Sequence, residues 1–281
     1  MALPWRLGAA ALCCAAAMAP GAGCAPRPVL PDREAFRERS TQASLHGAGL
    51  TLHLAESRGT LPLVVYGSGD GGWFGAAVGM FQMIAAGGYP AVGFSSRALL
   101  KIEQAGHTRL SSHQIAESYR VILDTARRAL GLPPDAPAVI TGWSRGASLA
   151  VLAASEPDTD RAVTGVVAIG LPREEQLDVE PGDDEDPVAP SDTAVARARN
   201  TEHELLMYPL LLRVAPRRSA IVQASGDRYL PAAQAHTLFG ADSTLKRFFE
   251  VTAGNHRFGG GKAALRQALL DAVAWAGEAR P

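Results

Sequence analysis

The sequence predicts an α/β protein: a mostly parallel sheet with helices on both faces. Three observations predict it. Short apolar runs at residues 61–68, 90–96, 138–144, 163–171, 219–225 and 248–252 alternate with stretches of helical periodicity. Glycine-rich turns follow two of these runs, as turns at the carboxyl end of a buried strand do. Gly142-Trp143-Ser144-Arg145-Gly146 stands between one apolar run and one alanine- and leucine-rich run.

The elements follow in order. Residues 43–57 read as a β-hairpin turning at Gly47-Ala48-Gly49. Residues 61–68 form a buried strand, and residues 76–86 a helix that stops at Gly87-Gly88. Residues 90–96 form the next strand. Residues 112–130 form a helix whose apolar face is Ile115, Tyr119, Ile122, Leu123, Ala126 and Leu130, and Gly131 ends it. Residues 138–144 and 163–171 are strands. Residues 201–214 read as an amphipathic helix carrying Leu205, Leu206, Leu210 and Leu211; it covers the site, touches a lipid surface or packs on the sheet. Residues 263–276 close the fold, with Leu265, Leu269, Ala272, Val273 and Ala276 inward. No internal repeat is visible.

The glycine–serine pentapeptide carries the chemistry. A Gly-x-Ser-x-Gly turn between strand and helix exposes the serine hydroxyl at a helix N-terminus, where developing negative charge is favoured. The plainer reading of Ser144 is a glycine-flanked helix cap. An α/β-hydrolase orders its triad as Ser, then Asp or Glu, then His. Asp227 follows the strand at 219–225 and His256 follows the strand at 248–252, so both stand at the sheet edge where parallel sheets gather ligands. Ser144 is then the nucleophile, His256 the general base and Asp227 the residue that orients the imidazole. Singly, His256 reads as a loop histidine and Asp227 as a turn residue. His46, His53, His107, His113, His203 and His236 read as surface or capping residues. No histidine pair has metal-ligand spacing joined to a carboxylate motif, so neither metal nor cofactor is expected.

An oxyanion hole needs two backbone N–H donors. Arg145, after the nucleophile, supplies one. Gly69 or Asp70, in Gly67-Ser68-Gly69-Asp70-Gly71-Gly72-Trp73, supplies the other. A phosphate-binding loop is the competing reading, but neither G-x-G-x-x-G spacing nor a Gly-Lys-Ser/Thr ending is present. Gly259-Gly260-Gly261-Lys262 reads as the loop into the last helix.

Ser68-Gly69-Asp70-Gly71-Gly72-Trp73, Val92-Gly93-Phe94-Ser95-Ser96 and Gly142-Trp143-Ser144-Arg145-Gly146-Ala147 together resemble the bacterial virulence family VirJ, including the AcvB C-terminal domain. The resemblance spans residues 60–175. It implies a periplasmic serine α/β-hydrolase. In some members the substrate is an aminoacylated phosphatidylglycerol, from which the amino acid is released; others are linked to type IV secretion. A non-catalytic chaperone or adaptor for a secretion partner is the alternative, and a peptidase of the same fold a third. The chain departs from the family at Arg145, where an aromatic residue is usual, and at Ser148, where an aspartate is.

Composition bounds the rest. The chain has 281 residues, 47% apolar, with a formal net charge of −1. That is one substantial domain, not a polytopic membrane protein, and the charge gives no reason to expect nucleic acid. Residues 1–23 read as a signal peptide, with Arg6 in its charged region and residues 7–18 as its apolar stretch. Cleavage before Cys24 makes a lipoprotein with a lipid anchor on that cysteine; cleavage after Ala19 makes a soluble periplasmic protein. Cys13 and Cys14 leave with the leader either way, so the mature domain holds no internal disulfide. Residues 24–39 are expected to be a tether, 40–281 the hydrolase domain, and 172–216 a cap insertion. The acidic residues of 172–190 form either a solvated loop or a negative rim for a cationic substrate.

Overall fold

A computed structural model describes residues 37–57, 61–106, 110–177 and 205–278, all within one unit, Pro31–Pro281. The expected signal peptide, Cys24, most of the tether, His107, His203 and most of the acidic segment lie outside the described residues.

Eight strands make the main sheet: β1 (Arg37–Leu45), β2 (Ala48–Glu56), β3 (Leu63–Gly67), β4 (Ala91–Phe94), β5 (Ala138–Trp143), β6 (Val163–Ile169), β9 (Arg218–Ala224) and β10 (Lys246–Val251). Their order across it is β1-β2-β4-β3-β5-β6-β9-β10. Only β2 runs against its neighbours β1 and β4; every pairing from β4 to β10 is parallel. Two short strands, β7 (Glu174–Glu175) and β8 (Leu205–Leu206), form a separate antiparallel ribbon.

The inner parallel strands, β3, β4, β5, β6 and β9, are buried on both faces and split their side chains between two cores, whereas the edge strand β10 is half-buried or exposed up to Val251. Val65, Ile140, Val166 and Ile221 face one core, with α2 (Ser96–Gly106), α3 (Ser112–Leu130), α4 (Arg145–Ser155) and α5 (Ala232–Phe239). Val64, Tyr66, Val139, Val167 and Val222 face the other, with α1 (Ala76–Ala86) and α6 (Lys262–Gly277). Helices therefore cover both faces, as the alternation of patterns predicts. The expected inward residues of α3 and α6 are buried, apart from half-buried Leu130. Ser111 and Gln114 form a capping box at the start of α3, and Gly131 ends it with φ 67°.

Four expectations need correction. The hairpin turns at His46-Gly47, both with positive φ (49° and 82°), rather than at Gly47-Ala48-Gly49. That two-residue geometry matches the strand twist, and Ala48 already pairs with Leu45. Strand β1 begins at Arg37, so the domain takes in three residues expected in the tether. Residues 205–213 form no continuous amphipathic helix. Leu205–Leu206 pair as a strand, Met207–Leu210 make one helical turn and Leu211–Arg213 a 3₁₀ turn. Pro209 cannot donate to a continuing helical ladder. Finally, residues 96–106 form α2, a helix that the apolar pattern does not announce.

Candidate active site

Parallel strands point their carboxyl ends to one edge of the sheet, and every candidate residue follows such an end. Ser144 follows β5, Gly69 and Asp70 follow β3, Asp227 follows β9, and His256 follows β10.

Ser144 adopts φ 56°, ψ −121°, backbone that a non-glycine residue rarely takes and that costs on the order of 1–3 kcal/mol. Its neighbours make the turn feasible. A Cβ on Gly142 would overlap the Gly146 carbonyl, and a Cβ on Gly146 would overlap the Gly67 carbonyl. The Ser144 N–H donates to the Ile169 carbonyl at 2.8 Å, which fixes the turn against β6. The Ser144 side chain makes no capping hydrogen bond to α4, so the plain helix-cap reading fails.

Asp227 is 1% exposed. Its Oδ1 accepts the Tyr229 N–H at 2.9 Å. Its Oδ2 accepts from Gln223 Nε2 at 3.0 Å and lies 2.6 Å from His256 Nδ1. A carboxylate oxygen accepts hydrogen bonds, so Nδ1 is assigned as the donor in this contact and Nε2 is the ring nitrogen left for other partners. Gln223 also donates to the Leu230 carbonyl at 2.7 Å, holding the Asp227 loop closed. Burial, and secondarily the Asp227 carboxylate, push the Tyr208 phenol upward.

The His256 loop is braced from within. Asn255 Oδ1 accepts the N–H groups of Arg257 and Gly259, each at 3.0 Å. Phe258 takes φ 56° and is fully buried, anchoring the loop in the core beside α6. The imidazole packs between Trp143, with ring centroids 5.5 Å apart, and the edge of Tyr229 at 5.1 Å. Trp143 Nε1 donates to the His256 carbonyl at 3.2 Å.

Gly69 lies against the other part of the same indole. A Cβ there would come within 3.1 Å of Trp143 and 3.5 Å of Ser144 Cβ. The loop starts where Ser68 N–H donates to Phe94 O at 3.0 Å and the Ser68 hydroxyl accepts from Ser96 N–H at 3.2 Å. It ends on Trp73, which stacks on His53 (4.3 Å, interplanar 8°) and meets Tyr66 and Phe81 edge-on. Gly93 makes room for that ring, because any Cβ there would overlap it. His53 is thus a packing residue, and burial lowers its pKa against the opposing pull of Glu38. Among the described residues, neither Gly69 nor Asp70 donates its N–H to another backbone group. Arg145, at the first position of α4, has no intrahelical acceptor.

The structure therefore joins Asp227 to His256 directly and gathers Ser144, Gly69 and His256 around Trp143. Among the described residues, no hydrogen bond links the Ser144 hydroxyl to His256. Sequence reasoning missed Gln223, Tyr229 and Glu175. Gln223 is visible only as a polar residue facing the core of an otherwise apolar strand. Glu175 belongs to an acidic run that reads as solvated; here it is 7% exposed and contacts Arg145.

No protein-family model matches the chain, and no curated protein matches it in sequence. Solved structures match its fold. A dienelactone hydrolase from Anabaena variabilis aligns with TM-score 0.58 at 16% identity, covering 87% of this chain and 100% of the other. The esterase domain of a Rhodothermus marinus protein aligns at 0.54 and 18% identity, covering 85% and 98%. A thioesterase domain from the curacin biosynthetic pathway aligns at 0.52 and 15% identity, covering 83% and 99%. The chain has the α/β-hydrolase fold, as its sequence predicts; at these identities the likeness speaks for fold, and function has to be argued from the site.

Proposed function

We propose that the protein is a serine hydrolase of esterase type that works through an acyl-enzyme. The observation that carries this reading is the 2.6 Å contact of His256 Nδ1 with buried Asp227, beside a serine held in a strained elbow. Ser144 Oγ attacks the substrate carbonyl while His256 Nε2 takes its proton. The tetrahedral oxyanion sits between the N–H of Arg145 and that of Gly69 or Asp70. His256 returns the proton to the departing alcohol, the acyl group stays on Ser144, and water activated by His256 then releases it as the acid. Asp227 keeps Nδ1 protonated and stabilises the imidazolium throughout. The serine–histidine hydrogen bond closes on substrate binding; such contacts are often long in ligand-free sites.

The substrate we favour is an aminoacyl ester on a phospholipid such as lysyl-phosphatidylglycerol. This rests on the motif resemblance to VirJ and AcvB and on an acidic segment suited to a cationic acyl group. A lipid anchor at Cys24, holding the domain to a periplasmic membrane surface, suits that substrate. A VirJ-like adaptor for a secretion partner is the second reading, favoured by the lack, among the described residues, of a hydrogen bond from the Ser144 hydroxyl to His256.

Turnover of a p-nitrophenyl ester by wild type and by Ser144→Ala tests the reading. Loss of the nucleophile should lower the rate by about 10⁴–10⁶ while the fold persists. Undiminished turnover by the variant would refute the assignment, and its absence from both would favour the adaptor.

A further inference from the structure

Two of the three candidate oxyanion donors, Arg145 and Asp70, meet through their side chains. Arg145 Nε lies 2.7 Å from Asp70 Oδ1 and 3.2 Å from Glu175 Oε1. The Arg145 side chain is 18% exposed, Asp70 is solvent-facing at 65%, and Glu175 is buried. Arg145 opens α4 directly after Ser144, Asp70 stands in the loop after β3, and Glu175 lies in β7, paired with Leu205 of β8. One guanidinium on α4 therefore joins the loop after β3 to the β7 ribbon. The loop has few other restraints across its middle: Gly69 O accepts from Gly72 N–H at 3.0 Å, and Asp70 and Gly71 are exposed.

We propose that the Arg145 side chain is a positioning residue that sets the width of the oxyanion hole. Its Nε meets the exposed Asp70 carboxylate and donates to the buried Glu175 carboxylate. The inference rests on the hydrolase reading, because the hole matters only if an oxyanion forms there. The backbone N–H of Arg145 is fixed by α4, whereas that of Gly69 or Asp70 is fixed only as well as its loop. The ion pair ties the second donor to the first. The hydrogen bond from Nε to buried Glu175 restrains the guanidinium beside Asp70. Because donors act on charge that develops in the transition state, loosening one affects kcat rather than substrate affinity.

The test uses Asp70→Asn, an exposed change that leaves the core untouched, with Arg145→Gln and the double variant. Hydrogen–deuterium exchange over the peptide spanning residues 67–74 reads loop order. Ester kinetics and inhibition by a phenylboronic acid, whose adduct on Ser144 places an anionic oxygen in the hole, read its geometry. Each single variant should raise exchange in that peptide, cut kcat about tenfold with KM within about twofold, and weaken the boronate by the same factor. The double variant should lose little more than Arg145→Gln alone, because that change already removes the Arg145–Asp70 contact. A rise in KM at constant kcat would make Arg145 a substrate contact and overturn the proposal. Unchanged exchange, or raised exchange with unchanged kcat, would also overturn it. If wild type shows neither turnover nor boronate binding, the hydrolase reading itself fails; exchange alone then shows whether the ion pair orders the loop.

Discussion

Ser144, Asp227 and Glu175 each sit in a conformation or environment that an isolated residue would not have. Ser144 is held at positive φ by two glycines that let backbone meet backbone, a constraint the sequence displays as Gly-x-Ser-x-Gly. Buried Asp227 accepts from Gln223 and the Tyr229 N–H and meets His256 Nδ1. Its place in the chain order is legible, but the Gln223 brace is not, since an inward glutamine leaves no periodic mark. Glu175 reads only as part of an acidic stretch, because sequence does not reveal which acid of a run turns inward. Burial raises its pKa above the ordinary 4.5; Asp70 adds to the rise, and Arg145 and the nearby Ser148 hydroxyl oppose it. A carboxyl raised in the folded state binds its proton more tightly folded than unfolded. Its stabilisation is therefore complete below pH 4.5 and is lost as pH rises through the raised value. Urea unfolding of wild type and Glu175→Gln between pH 4 and 8 should show wild type losing ground to the variant as pH rises from about 4.5. A difference that does not change with pH would contradict the buried placement.

At the scale of elements, legibility follows periodicity and punctuation. Helix α3 announces itself through its apolar face, its Ser111 cap and Gly131. Helix α2 is hidden because Ser95 ends the strand run and also starts the helix, its Oγ accepting the Ala98 N–H at 3.2 Å. The first residues of β1 are hidden because an edge strand carrying Arg37, Glu38, Arg39 and Gln42 lacks an alternating apolar face, which guards the edge against unwanted pairing. The oxyanion loop is legible between β3 and α1, yet its anchor is not. Trp73 wedges between His53, Tyr66 and Phe81 over Gly93, so one side chain ties the loop to β2, β3, β4 and α1. Trp73→Ala removes that wedge. Its half-buried ring should cost about 2–3 kcal/mol in urea unfolding, below the range for fully buried aromatics. Turnover per folded molecule should fall with it, whereas a loss of stability with unchanged turnover would separate the anchor from the site.

For the whole molecule, the parallel sheet is the device that makes three distant residues neighbours. Strands β3, β5, β6, β9 and β10 run the same way, so the loops after them meet at one edge. Two cores, one on each face, hold those strands in place, and the strand ends carry the residues proposed as donors, base and nucleophile. The sequence reveals this much because each strand is an apolar run ending in a recognisable turn. What sequence order does not encode is distance across the edge; among the described residues no hydrogen bond joins the Ser144 hydroxyl to His256, and the proposed mechanism has that bond form on substrate binding. Reaction of the wild-type protein with a fluorophosphonate, followed by mass-spectrometric mapping of the adduct, tests the central claim most directly. The account predicts a single phosphonyl group on Ser144, abolished in His256→Ala. A folded protein that stays unlabelled, or that carries the adduct on another residue, would contradict it.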